Sequence, residues 1–260
     1  MKKSVLITGA SKGIGKDLAK VFAKNGYSLI LIARTTLELE NLKNNLLQEY
    51  QCEVKILSVD LNQMDSVDII CNTFSKELSD LDILINNAGY GIMKKFHELD
   101  ESDVDGIVNV NMRALTKLTY RILPYMLAKK SGKILNVAST AAFVPGPYMA
   151  MYFASKAFVL SLSEALFEEY RKDGITVSTL CPGVTRTSFQ KRAGMENSRM
   201  VSGMLPIMSS DTVAKMAYDG LLKNKRVIVT GWFNKVTILL MRFIPNSIIL
   251  KFNAMLEKSR

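Results

Sequence analysis

Thr8-Gly9-Ala10-Ser11-Lys12-Gly13-Ile14-Gly15 stands between a short apolar run, residues 5–8, and a helical pattern. Glycine permits a tight turn and close approach of the backbone to a ligand. The free N–H groups and positive dipole end of the following helix attract phosphate oxygens. A Gly-rich turn alone is equally at home as a purely structural turn, but after a first strand and before a helix it predicts the start of a dinucleotide-binding unit. Further β-branched or Leu-rich runs follow at 28–32, 53–59, 82–85, 132–137, 175–180 and 226–230, with amphipathic patterns of helix length between them, such as 37–50 and 150–172. Most of these runs are apolar throughout, as strands covered on both faces must be, and intervening helices supply right-handed crossovers. The expected architecture is α/β: a single-domain, doubly wound Rossmann fold with a seven-stranded parallel sheet.

Composition narrows the function classes. With 260 residues, 48% apolar and 22% charged, the chain can bury one large core and is neither disordered nor disulfide-stapled. Thirty-four Lys and Arg against 24 Asp and Glu leave a net charge of +10, which favours anionic partners. No basic-aromatic recognition module appears and the charge is dispersed, so nucleic acid is not an expected partner. Cys52, Cys71 and Cys181 are too few and too scattered for a disulfide framework or a zinc site. No metal is expected, and a reducing cytoplasm is the simplest setting. Only residues 4–8 separate the charged opening from Gly9, so no signal-peptide apolar region is expected.

Two details of the turn and of the second strand carry chemistry. Gly9-Ala10-Ser11-Lys12-Gly13 is formally a G-x-S-x-G elbow, which makes a serine hydrolase with Ser11 as nucleophile a competing reading. Its triad needs an acid and then a histidine downstream, yet the one histidine, His97, precedes most of the sheet. Ser11 is better read as a phosphate contact. The Walker A pattern fails at Ile14 and Gly15. After the second strand the sequence reads Ala33-Arg34-Thr35-Thr36, where a carboxylate would hold a ribose 2′-hydroxyl and repel a 2′-phosphate. Arg34 can instead stack on adenine and pair with that phosphate, with Lys12 as a second cation, which favours NADP(H). An ordinary solvated arginine at a strand end is the bland alternative.

Tyr152 and Lys156 lie four residues apart in a helical pattern and therefore share a face. A phenol with an ordinary pKa near 10 is a poor acid–base group at neutral pH and needs a cation beside it, and Lys156 is that cation. Ser139, just beyond the 132–137 run, supplies a hydroxyl for a carbonyl oxygen. Taken singly, the Tyr–Lys pair reads as surface neighbours and Ser139 as a turn serine.

Together these residues resemble the classical short-chain dehydrogenases/reductases over roughly residues 4–230. The resemblance rests on the order of the Gly-rich turn, Asp60-Leu61, Asn86-Asn87-Ala88-Gly89, Asn111, Ser139, Tyr152 with Lys156, and Pro182-Gly183 with Thr187. It implies that Tyr152 gives the proton to a carbonyl oxygen as hydride arrives and that Ser139 orients that oxygen. Lys156 would hold the nicotinamide ribose and lower the tyrosine pKa, and Asn111 would anchor a water in a proton relay. Asp60 would meet the adenine amino group, Leu61, Asn87, Ala88, Gly89, Pro182 and Gly183 would line the cofactor, and Val184 and Thr187 would meet the carboxamide. The implied activity is hydride transfer between NADP(H) and a carbonyl or secondary alcohol, with a catalytically silent NADP(H)-binding sensor as the alternative.

Residues 1–233 are thus expected to form an NADP-binding catalytic domain with a lid at 184–210, and 234–260 a C-terminal extension. The lid contains Met195, Met200, Met204 and Met208 beside Arg186, Lys191, Arg192, Arg199 and Glu196, an adaptable covering suited to a hydrophobic small-molecule substrate such as a 3-oxoacyl thioester or a steroid. The extension departs from relatives that end soon after the last strand, which favours a homodimer over a tetramer. Arg242 and Pro245 interrupt its apolar stretch, so it cannot span a bilayer. Packing over the pocket or a partner subunit is the expected role, and contact with a membrane surface the lesser alternative.

Overall fold

The computed structural model describes residues 2–195 and 206–257, with side chains to residue 255. The expectations placed on Glu196, Arg199, Met200 and Met204 of the lid, and on the last three residues of the extension, lie outside the described residues.

The strands are β1 Ser4–Thr8, β2 Ser28–Ala33, β3 Val54–Ser58, β4 Ile83–Asn86, β5 Gly132–Val137, β6 Ile175–Cys181, β7 Thr185–Arg186, β8 Met208–Ser209 and β9 Val227–Val229. The helices are α1 Gly13–Lys24, α2 Thr36–Glu49, α3 Ser66–Thr73, α4 Ser75–Ser79, α5 Glu101–Ile107, α6 Leu115–Lys129, α7 Ala150–Tyr170, α8 Phe189–Arg192, α9 Ser210–Leu222, α10 Trp232–Met241 and α11 Asn246–Glu257. Seven strands form one parallel sheet in the order β3-β2-β1-β4-β5-β6-β9. The order reverses between β1 and β4, and in such sheets the crevice at the carboxyl ends of the two strands is where ligands bind.

Alternation along a strand explains why the runs are apolar throughout. Val5 and Ile7 of β1 pack with Leu18 and Phe22 of α1 and with Val213 and Ala217 of α9. Leu6, between them, faces the opposite layer with Ile70 and Phe74 near α3 and Leu118 and Ile122 of α6. The helical stretch Ala150–Asp173 is long and apolar enough to cross a membrane by length and composition. Here it packs along β5 and β6 and buries Phe153, Val159 and Leu160.

The structure refines the expected elements at three places. β9 is shorter than 226–230, because only Val227–Val229 find ladder partners, on Thr179–Cys181. Within the lid, β7 and β8 pair as a small parallel sheet that no apolar run announced. Residues Val108–Ala114 wind as a π-helix between α5 and α6, a distortion that local propensity does not reveal.

Candidate active site

The turn after β1 takes its shape from backbone constraints. Gly9 adopts φ +64°, which favours glycine. A Cβ at Gly15 would stand 2.3 Å from the Gly9 carbonyl oxygen, so the first turn of α1 can close only over a hydrogen. Thr8 ties this turn to the end of β4: its Oγ1 accepts from the N–H groups of Asn87 (3.0 Å) and Ala88 (3.1 Å). Asn87 returns the contact, donating from Nδ2 to the carbonyls of Thr8 (2.9 Å) and Gly9 (3.1 Å).

A cavity of about 540 Å³ runs from this turn across the carboxyl ends of the strands. Of the residues given a catalytic or cofactor role in the sequence analysis, all line it except Gly15, which sits behind the turn, and Asn111. Asn111 is buried in the π-helical segment, where Oδ1 accepts from Tyr90 N–H (3.0 Å) and Nδ2 donates to the Tyr90 carbonyl (2.9 Å) and to Ser155 Oγ (2.9 Å). Its side chain thus holds the loop after β4 against α7. A Cβ on Gly89 would lie 3.2 Å from both Asn111 Oδ1 and Lys156 Nζ, so these polar atoms converge behind that glycine.

Ser139, Tyr152 and Lys156 meet at one end of the cavity. Lys156 is 5% exposed, donates to the Val137 carbonyl (2.8 Å), and lies 5.6 Å from the centroid of the Tyr152 ring. Burial pushes the Tyr152 phenol up to about 12, and the hydrogen bond with Ser139 works in the opposite direction. Burial also brings the Lys156 ammonium down to about 8. The sequence reading assigns the help to the phenol to Lys156, whereas the geometry gives it to Ser139, because the ammonium is bonded to a backbone carbonyl and faces the ring.

Beneath these groups, Asn86 donates to Thr119 Oγ1 (3.1 Å) and Asn136 Oδ1 (2.9 Å), and Asn136 donates to Ser163 Oγ (2.9 Å). This buried polar chain joins β4 and β5 to α6 and α7, and so fixes the helix carrying Tyr152 relative to the sheet. Asn136 and Ser163 are missing from the sequence reading. A polar side chain inside an otherwise apolar run, as Asn136 is, was the available signal.

The opposite end of the cavity collects charge. Lys12 pairs with Glu38 at 2.5 Å. The Glu38 carboxyl is held below its ordinary range by the Lys12 hydrogen bond first, then by one from Ser11 and by the charges of Lys12 and Arg192. Arg192, from α8, is lowered mainly by burial and then by the like charge of Arg34. Arg34 is exposed, lies near Arg192 and lines the same end of the cavity as Lys12. Glu38 and the position of Arg192 were not legible in the sequence, since α2 and α8 meet only through the fold. Thr187 closes the same region, its Cγ2 lying 3.0 Å from where a Gly13 Cβ would be.

Apolar side chains cover the reacting end. The Phe189 ring lies 5.2 Å from that of Tyr152, and Met93, Val144, Met149 and Met195 gather around it. From the extension, Thr237, Ile238, Met241 and Phe252 line the cavity, while Asn253, 4% exposed, donates to the Pro145 carbonyl (2.8 Å). His97 is exposed, faces Glu98, and does not line the cavity, so Ser11 has no base of the kind a serine hydrolase requires.

A Gly-rich turn closed over hydrogens, a helix α1 with no acidic residue in its first turn, and cations at one end fit a nicotinamide dinucleotide. The chain belongs to the short chain dehydrogenase family, whose profile matches residues 3–198. The very-long-chain 3-oxoacyl-CoA reductase of Rattus norvegicus is 34% identical over 192 residues, a match covering 72% of this chain and 60% of that protein. The chain thus spans less than two thirds of the length of such curated relatives. Among solved structures, a short-chain dehydrogenase from Sphingobium yanoikuyae in complex with NADPH is 30% identical, with a TM-score of 0.81 over 94% of this chain and 97% of that one. A short chain dehydrogenase/reductase from Burkholderia phymatum in complex with NAD is 25% identical, with a TM-score of 0.83 over 93% of both chains.

Proposed function

We propose that this protein is an NADP(H)-dependent reductase of hydrophobic carbonyl compounds, working reversibly as an alcohol dehydrogenase. The observation that carries the reading is the meeting of Ser139, Tyr152 and Lys156 at the apolar end of a cavity whose other end gathers Lys12, Arg34 and Arg192. The dinucleotide, when bound, supplies the hydride in reduction and accepts it in oxidation.

The chain's own groups do the rest. The Ser139 hydroxyl and the Tyr152 phenol both donate toward the substrate oxygen, and the phenol gives it a proton as the carbonyl carbon becomes a secondary alcohol. A phenol kept protonated by burial suits the reducing direction at neutral pH, because the acid is fully loaded. Lys156, still mostly charged at pH 7 with its pKa near 8, holds the ribose side. Asn111 and Ser155 keep α7 in register with the loop after β4. The apolar wall of Val144, Met149, Phe189 and Met195 excludes water and selects a hydrophobic substrate, of which a 3-oxoacyl thioester is the first to test and a steroid ketone the second.

Three cations, Lys12, Arg34 and Arg192, against the two carboxylates Glu38 and Asp60 favour a coenzyme with a 2′-phosphate. The experiment is coenzyme consumption by the purified protein with 3-oxoacyl thioesters, steroid ketones and small aldehydes, using NADPH and NADH in parallel. Turnover of a hydrophobic carbonyl with at least a tenfold preference for NADPH supports the reading. Coenzyme binding without turnover across the panel would replace it with that of a silent binder.

A further inference from the structure

The extension has a second apolar face, and the cavity does not use it. On α10, Asn234, Thr237, Ile238 and Met241 point inward and are partly buried, three of them apolar or nearly so. Trp232, Val236, Leu239 and Leu240 follow the spacing i, i+4, i+7, i+8, which gathers them on the opposite side of the helix, and Phe243 follows in the turn just after it. They are exposed, Trp232 to 76% and Phe243 to 80%. On helix α11, Ile249 and Asn253 are buried, Phe252 lines the cavity, and Ile248 and Met255 are exposed. An apolar surface of this extent is not a scatter of single side chains.

Charge says what covers it. Between Asp219 and Glu257 the sequence contains no acidic residue and six cations: Lys223, Lys225, Arg226, Lys235, Arg242 and Lys251. Lys235 and Arg242 flank the outer stripe of α10, and Lys251 borders that of α11. A second copy seated on this face by a two-fold axis would set these cations against their own equivalents, with no carboxylate on either helix within residues 232–256 to pair them. An anionic lipid surface has the complementary charge and accepts the apolar stripe among its acyl chains. We infer that the outer faces of α10 and α11 dock this protein on an anionic lipid surface. The inference is independent of the reductase reading, although it would bring the helices that cover the cavity against the phase in which hydrophobic substrates dissolve.

Trp232 is the one tryptophan in the chain and lies in the proposed contact, so it reports docking directly. The full chain is titrated with vesicles of phosphatidylcholine alone and with vesicles containing phosphatidylglycerol, following tryptophan emission and co-sedimentation. A blue shift and co-sedimentation only with the anionic vesicles, reversed by 0.5 M salt, is the expected result. Leu239→Gln combined with Phe243→Ser, both outside the cavity, lowers vesicle partitioning about tenfold, as loss of buried apolar area requires. Lys235→Ala combined with Arg242→Ala lowers it about tenfold on anionic vesicles. Unchanged coenzyme binding in both variants shows that they are folded. Equal binding to both vesicle types, or none to either, overturns the inference. Emission already blue-shifted in buffer, with a dimer that the Leu239→Gln/Phe243→Ser variant dissociates, also overturns it by seating a second copy on this face.

Discussion

The two ends of the cavity are built by different rules. At the reacting end, Ser139, Tyr152 and Lys156 hang from β5 and α7, and burial shifts both titrating groups strongly. At the adenosine end, Lys12, Arg34, Glu38 and Arg192 come from four separate segments and are mostly in contact with solvent. The first end is specified by spacing along one helix and one strand. The second is a sum of charges whose sign depends on how α2 and α8 fold against the Gly-rich turn. Function at the reacting end is therefore sensitive to single atoms, whereas preference at the adenosine end is graded and shared.

The sharpest way to test that contrast is at Lys156. Burial lowers its pKa from an ordinary 10.5 to about 8, so keeping it charged at neutral pH costs the folded state about 3 kcal/mol. The sign follows from proton counting: between pH 8 and 10.5 the unfolded chain binds more protons than the folded one, so this contribution makes stability rise with pH through that window. Lys156→Met removes the buried charge and its bond to Val137, and is expected to raise stability at pH 7 by about 2 kcal/mol while lowering turnover about a thousandfold. Thermal unfolding at pH 7 and 10 checks it: a variant less stable than the parent at pH 7 would break the claim that this end is strained for function.

Ser139→Ala should lower kcat about a hundredfold, since one preoriented donor to the substrate oxygen is lost. It also removes the group that draws the Tyr152 phenol down, so the pH profile of alcohol oxidation moves to higher pH. A profile that keeps its position would transfer that role away from Ser139.

Effects at the other end are smaller and should add. Arg34→Ala and Arg192→Ala are each expected to weaken NADPH about tenfold and to leave NADH nearly unchanged. A loss for both coenzymes alike would make Arg192 a lid contact rather than a phosphate clamp. Glu38→Gln, which relieves the pairing with Lys12, should tighten NADPH a few-fold, as expected for a partly exposed ion pair. Weaker binding would mean that Lys12 needs Glu38 to hold its position.

The same contrast explains what the sequence could disclose. The sheet was legible because both faces of each central strand are buried: Leu6 and its neighbours Val5 and Ile7 must all be apolar to serve opposite layers. The Tyr152–Lys156 pair was legible because four residues make one helical turn. Asn111 could be singled out only through the family resemblance, and its π-helical setting was hidden, because a π-turn depends on tertiary packing rather than on local propensity. Glu38 looked like any surface acid in the first turn of a helix, and its proximity to Lys12 is created by the crossover between β1 and β2. Both faces of α10 carry apolar residues, so composition alone did not say which one faces the cavity. Only the fold shows which one covers the cavity.

Tyr152 carries the proposed proton transfer. The most direct measurement is the comparison of wild type and Tyr152→Phe for two quantities in parallel: the dissociation constant of NADPH and kcat/KM for whichever hydrophobic carbonyl is turned over. Removing one hydroxyl oxygen should leave coenzyme affinity within about twofold and cut kcat/KM by about a thousandfold, because the phenol's proton is used in the reaction and not in binding the dinucleotide. Retained turnover in the variant, or a parallel loss of coenzyme affinity, would contradict the assignment of Tyr152 as the acid.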